Sequence, residues 1–285
     1  MRGEDVRTLG VIGCGLMGSG IVEVAARAGQ RAIYLESSDE LVDAGRARIE
    51  ASTSRAVERN KLADAERAEI LGRISGTIDA ADLADADLVI EAATEDRETK
   101  IGIFRRLDEI TRPDVVLASN TSSIPIVDLG AATKRPERVL GLHFFNPVPV
   151  MGLVEIVRAI TTSEETVEFG RSFCVALGKA TVLSRDRAGF IVNTLLVPYL
   201  NDAIRMLEEG FASREDIDAA INLGLNHPMG PLRLADLIGL DTHLQIANVL
   251  FDEFKEARFA PPPLLRRMVA AGHLGRKSGR GFYEY

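Results

Sequence analysis

Four histidines occur in the chain, His143, His227, His243 and His273, and only His143 has surroundings that suggest more than a structural role. It closes an apolar run, 139–144, and the turn-rich segment NPVPVMG follows it. A second β-like run, LVEIV at 153–157, carries Glu155 as its one charged residue. If the two runs pair as a hairpin about Pro149, His143 and Glu155 are each six positions from the midpoint and point to the same face. A carboxylate beside an imidazole orients the ring and favours its protonated form, which suits a general base. Burying a carboxylate in such a strand also demands a partner. On geometry alone, a surface ion pair is an equal alternative.

The second chemical signature lies near the N-terminus. Gly13-Cys14-Gly15-Leu16-Met17-Gly18 fits G-x-G-x-x-G, directly after a β-like run and directly before a helical pattern. Gly13 permits the tight turn, Gly15 lets the backbone approach a pyrophosphate, and Gly18 lets helix and strand pack closely. The phosphates then meet the first-turn backbone N–H groups, from Leu16 and Met17 onward. Glu36, 18 residues past Gly18, ends the next β-like run and can accept hydrogen bonds from ribose hydroxyls while repelling a 2′-phosphate. Ser37-Ser38-Asp39 follows without an arginine, so NAD is expected rather than NADP. Cys14 reads as a small filler at a crowded turn.

These residues must be positioned by a scaffold. Continuous apolar runs at 8–12, 32–35, 88–90, 115–118, 139–144, 154–157 and 181–183 read as buried strands of a mostly parallel sheet. Helical stretches at 18–28, 38–61, 97–110 and 163–177 separate several of them, with Ser38 and Ser163 as caps. The alternation predicts a doubly wound, Rossmann-like α/β domain. After about Ser184 the pattern becomes helical, and Ile191, Leu195, Leu196, Tyr199, Leu200, Ala203 and Leu207 share one face. Pro198 should kink that helix rather than end it. Ser213 starts another helix, 231–254 holds at least one more, and the prolines at 261–263 form a stiff connector. The boundary falls near 185–187, giving a nucleotide-binding domain of residues 1–186 and an all-helical domain of 187–285. Leu223, Leu225, Leu237 and other apolar residues of 223–254 exceed what one thin helical layer buries, so this half is expected to dimerise.

Composition narrows the classes. Hydrophobic residues are 46% of 285, enough for a packed core. A net charge of -8 argues against a nucleic-acid binder. Two cysteines suggest a reducing, cytoplasmic setting, and neither a signal peptide nor a bilayer-length apolar run is apparent. No Cys/His cluster has metal-ligand spacing.

The segments GVIGCGLMGSGI, SNTSSIPI, GLHFFNPVPVMGLVEIV, GFIVNTLLVPYLNDAI, GLNHPMGPLRLADLIGLD and KSGRGFY together resemble the L-3-hydroxyacyl-CoA dehydrogenase family, its stand-alone bacterial 3-hydroxybutyryl-CoA members above all. The resemblance runs from Thr8 to Tyr285 in family order. It implies NAD-dependent oxidation of an L-3-hydroxyacyl-CoA such as 3-hydroxybutyryl-CoA to the 3-ketoacyl-CoA, and the reverse reduction of acetoacetyl-CoA. By this match His143 is the base, Glu155 its partner, and Ser122 and Asn193 act on the substrate oxygens. Glu95, Lys100, Ser122 and Asn146 match cofactor contacts, Ser52 and Arg59 match coenzyme A contacts, and a homodimer through the helical half is implied. Thr194 and Gly152 depart from the family pattern, which has basic residues there. The competing readings are a β-hydroxyacid dehydrogenase with a lysine base and a non-catalytic NAD-binding protein of the same fold.

Overall fold

The computed structural model describes residues 2–285 and divides into two compact units, Met1–Arg187 and Ala188–Tyr285. Unit one is an eight-stranded sheet: β1 (Thr8–Ile12), β2 (Arg31–Leu35), β3 (Ile74–Thr77), β4 (Leu88–Glu91), β5 (Val116–Ser119), β6 (Val139–Phe144), β7 (Leu153–Arg158) and β8 (Ala180–Arg185). Their spatial order is β3-β2-β1-β4-β5-β6-β7-β8, and every neighbouring pair is parallel except β6 with β7. The helices are α1 (Leu16–Arg27), α2 (Asp39–Glu58), α3 (Asp64–Gly72), α4 (Arg97–Ile110), α5 (Ile126–Ala131) and α6 (Glu164–Ala176). This is the doubly wound arrangement, with the strand order reversing between β1 and β4.

The central strands are apolar throughout because both of their faces are covered: Leu9, Val11, Leu88, Ile90, Leu117, Leu140 and Leu142 are fully buried. β8 differs. It is an edge strand, and Val182 and Leu183 are exposed, against the expectation of burial. Two short helices, α3 and α5, and strand β3 lie where no element was expected. Ser38 and Ser163 accept from the backbone N–H groups of Leu41 and Thr166, which caps α2 and α6 as their sequence positions suggest.

Unit two consists of α7 (Val192–Glu208), α8 (Arg214–Gly224), α9 (Pro231–Ile238), α10 (Leu240–Phe254) and α11 (Pro263–Ala270). α7 runs on through Pro198. The stretch 231–254 forms two helices, broken at Gly239, whose φ of 99° falls in the left-handed region that favours glycine. The third proline of 261–263 is the first residue of α11, where a missing N–H costs nothing. Leu200, Ile204, Leu232, Ala235, Leu240 and Leu265 form the core of this unit. No helix among the described residues is long and apolar enough to cross a membrane.

One buried polar pair ties α7 to α10. The ring of His243 meets Asn201 Oδ1 through Nε2 at 3.0 Å, while Asn201 Nδ2 donates to the carbonyls of Arg258 and Phe259. The Asn201 oxygen therefore faces the ring, and Nε2 carries the proton of a neutral imidazole. Burial pushes the His243 pKa down from 6.5 to about 4. Between those values the unfolded chain binds the proton and the folded chain does not, so stability falls as the pH drops through that window. The loss accumulates to about 3 kcal/mol near pH 4. Urea titrations at pH 7, 5 and 4 should show that His243→Gln removes most of this acid sensitivity. An undiminished slope would assign it to other groups.

Candidate active site

The carboxyl ends of β1, β4, β5 and β6 share one edge of the sheet, and the glycine loop, Glu95, Lys100, Ser122, His143 and Asn146 lie at or just after those ends, whereas Ser52, Arg59 and Asn193 do not. In an open α/β sheet this edge, at the switch point, is where ligands bind.

The glycine loop follows β1. Gly13 has φ 86°, and a Cβ there would come 2.9 Å from the Ala93 backbone. A Cβ on Gly18 would lie 1.9 Å from the Gly13 carbonyl oxygen, so this glycine is required by helix–strand packing. Gly15 has neither reason: its φ is ordinary and a Cβ would meet nothing within 4 Å. The open space above Gly15, at the N-terminus of a helix with no acid in its first turn, is what a pyrophosphate requires. Leu16 and Met17 supply the first-turn backbone there. Glu36, at the end of β2, accepts from the Cys14 N–H through Oε1 at 2.5 Å, which places a carboxylate beside the loop. The residues therefore fit NAD. Burial and the nearby Glu36 push the Cys14 thiol up to about 12, as a filler rather than a nucleophile.

After β4 and β5 a buried polar cluster forms. Lys100, in the first turn of α4, donates through Nζ to both oxygens of Glu91 at 2.6 Å, and Ser119 Oγ donates to the same carboxylate at 2.6 Å. Glu91 and Lys100 are inaccessible to solvent. Glu95 Oε2 lies 3.5 Å from the Lys100 ammonium. Glu95 Oε1 accepts from Thr121 Oγ1 at 2.5 Å, from the Ser122 N–H at 3.0 Å and from Ser123 Oγ at 3.0 Å. Burial raises the Glu95 pKa, but the Lys100 ammonium and the donors of Thr121, Ser122 and Ser123 outweigh it and hold the carboxyl below its usual range. Glu95 thereby fixes the loop that carries Ser122.

That loop abuts the hairpin. Ser119 pairs with Gly141 across β5 and β6, and Asn120 Oδ1 accepts from the Phe144 N–H at 2.9 Å. His143 is directly opposite Glu155 in the β6–β7 register, as the count from Pro149 requires. The His143 Nδ1 lies 2.7 Å from Glu155 Oε2. Glu155 is 0% and His143 6% exposed, which excludes the surface-pair alternative. The Phe145 ring lies against the imidazole with centroids 4.7 Å apart. An ionised carboxylate only accepts, so Nδ1 carries the proton and the neutral ring presents its lone pair at Nε2.

Asn146 lies three residues past His143 on the exposed loop. Ser52 and Arg59 lie on the last turns of α2 and at its C-cap, and with Arg55 they share one helix face at spacings of three and four. Asn193 occupies the first turn of α7, in unit two. Thr194 Oγ1 donates to the Phe190 carbonyl at 2.5 Å, and a Cβ at Gly152 would meet nothing within 4 Å. Sequence reasoning missed Glu91 and Asn120. Glu91 had a signal, since an acid closing the apolar run LVIE needs a partner just as Glu155 does.

The Lys100–Glu91 pair yields a stability test. Lys100→Met leaves a buried carboxylate unpaired and should destabilise the fold by about 3–5 kcal/mol in urea titration. Adding Glu91→Gln should recover much of the loss, and a double variant as weak as the single one would contradict the pairing.

Residues 8–187 match the family model for the 3-hydroxyacyl-CoA dehydrogenase NAD binding domain, and residues 189–285 match that for the 3-hydroxyacyl-CoA dehydrogenase C-terminal domain. A 3-hydroxybutyryl-CoA dehydrogenase of Mycobacterium tuberculosis is 56% identical over 284 residues, 99% of each chain. The mitochondrial hydroxyacyl-coenzyme A dehydrogenase of Mus musculus is 42% identical, over 98% of this chain and 91% of its own. The crystal structure of (S)-3-hydroxybutyryl-CoA dehydrogenase from Ralstonia eutropha matches with a TM-score of 0.93 at 46% identity, covering 99% of both chains. With both halves matched in order, the chain belongs to the 3-hydroxyacyl-CoA dehydrogenase family of NAD-dependent oxidoreductases.

Proposed function

We propose that this enzyme interconverts a short-chain L-3-hydroxyacyl-CoA, 3-hydroxybutyryl-CoA, and its 3-keto form in the cytoplasm, with His143 as acid and base. The observation that carries this reading is the buried His143–Glu155 pair at 2.7 Å. The relatives named 3-hydroxybutyryl-CoA dehydrogenase supply the substrate. NAD, when bound, supplies the hydride acceptor. Nε2 of His143 takes the C3 hydroxyl proton in oxidation and returns it in reduction. Glu155 holds the ring by Nδ1 and balances the imidazolium. Ser122, steadied by Glu95, and Asn193, from the helical unit, orient the substrate oxygens. Glu36 meets the adenosine ribose, Asn146, Glu95, Ser122 and Lys100 the rest of the cofactor, and Lys100 also keeps Glu91 and Glu95 in place. The helix face of half-buried Ser52 and exposed Arg55 and Arg59 receives the anionic coenzyme A.

A lysine base is disfavoured. Lys100 is spent on Glu91, and Lys179 donates to the carbonyls of Val148 and Met151.

His143→Gln should lower turnover with acetoacetyl-CoA by about 10²- to 10⁴-fold while NADH binding holds. Unchanged turnover would overturn the assignment. Glu155→Gln should slow turnover and move its pH profile. Comparison of kcat/KM for the two cofactors should favour NADH, because the carboxylate of Glu36 repels a 2′-phosphate.

Unit two is also the proposed homodimer surface. Of the crowded apolar residues in 223–254, Leu232, Leu240 and Leu250 are consumed by cores of the unit itself. Leu223 remains 86% exposed, and Leu195 and Phe211 are 70% and 77% exposed. Such side chains on several helices call for a second partner. Light scattering at micromolar concentration should give about twice the chain mass. A value of 30.9 kDa would refute the dimer.

A further inference from the structure

Arg48, beside the glycine loop, has no role in the proposed reaction. It projects from α2 one turn beyond Gly45, and Gly45 packs against the loop. A Cβ on Gly45 would come 2.8 Å from the Cys14 Sγ, so α2 rests directly on the second residue of the motif. From the same face Arg48 Nη1 reaches the Cys14 carbonyl at 3.4 Å, a long contact. The Cys14 N–H is taken by Glu36 at 2.5 Å. An acid and a guanidinium thus bracket a single residue of the loop from its two ends.

The two differ in how they are spent. Nearby Arg46 is committed to Glu50 and to the carbonyls of Leu71 and Ile74. Among the described residues no carboxylate lies within ion-pairing distance of Arg48, whose side chain is exposed. A cation with no counter-ion therefore contacts the same loop residue, Cys14, as the carboxylate assigned to the adenosine ribose. The planar fork of a guanidinium matches a phosphate, and it reads one better than an ammonium does.

We propose that cofactor choice in this chain is set by Glu36 acting against Arg48, with Arg48 a ready contact for a 2′-phosphate that the Glu36 charge excludes. Removal of that charge is then enough to admit NADP(H), with no arginine introduced. The inference rests on the reading of the glycine loop and Glu36 as the NAD site.

The test is fluorescence titration of the full-length protein with NADH and NADPH, with thermal melts confirming that each variant is folded. Glu36→Gln keeps an acceptor for the Cys14 N–H, and Glu36→Ser also makes room for the phosphate. Both should bind NADPH at least about tenfold more tightly than the parent does, the range of one hydrogen bond to a charged group. The gain should shrink as salt rises. In Glu36→Ser/Arg48→Met it should vanish while NADH affinity stays within about threefold of that in Glu36→Ser. A double variant that keeps the gain overturns the proposal. So does a folded Glu36→Gln or Glu36→Ser protein that binds NADH without improved NADPH affinity, or that binds neither nucleotide. Failure of the parent protein to bind NADH would instead overturn the underlying site reading.

Discussion

A carboxylate with no access to solvent is expensive unless something shares its charge, and Glu155 is such a group. Its place in the middle of β7 is tolerable only because the antiparallel register puts His143 opposite it. The dependence runs in both directions. The loop 145–152 must keep its length, since a slip of one residue would turn Glu155 to the other face of the sheet. The loop is anchored from below by Lys179, buried and donating to Val148 and Met151. The partner contact then decides which ring nitrogen is left for the proposed proton transfer. A packing requirement and the proposed catalytic one would be met by the same bond.

The rest of the sheet edge repeats the device. Glu91 closes β4 with its charge answered by Lys100 and Ser119, and Glu95 gathers the donors of the loop that carries Ser122. Glu36 is held to the glycine loop by the Cys14 N–H. Several carboxylates thus crowd the sheet edge proposed to receive an anionic dinucleotide, in a chain of net charge -8. Attraction there must come from oriented backbone N–H groups at the start of α1 and from a few local cations, because distant charges are screened.

Much of this was legible in the residues. The equal spacing of His143 and Glu155 about Pro149 was enough to predict their register, and the glycine loop announced its context. What escaped did so for physical reasons. β3 reads ISGT, too short and polar to signal a strand, and exists because its backbone pairs with β2. Its Gly76 is required by the Tyr34 ring, which a Cβ would approach to 2.5 Å. The Lys100–Glu91 contact joins a helix to the end of a strand, which no periodicity reveals. The exposure of β8 follows from its edge position, and sheet order is not written in any one run. Asn193 shows the opposite case: in isolation it is only a helix amide, and its proposed role rests on family resemblance.

The central claim is that Glu155 holds the His143 ring by Nδ1. Ring-nitrogen NMR of histidine-labelled protein tests it directly, with four histidines to assign and variants at His143 and His243 to identify two of them. At a pH where both rings are neutral, His143 should carry its proton on Nδ1 and show an unprotonated Nε2. His243, donating to Asn201, should show the reverse and serve as the internal standard. A neutral His143 protonated on Nε2, in the same state as His243, would contradict the account.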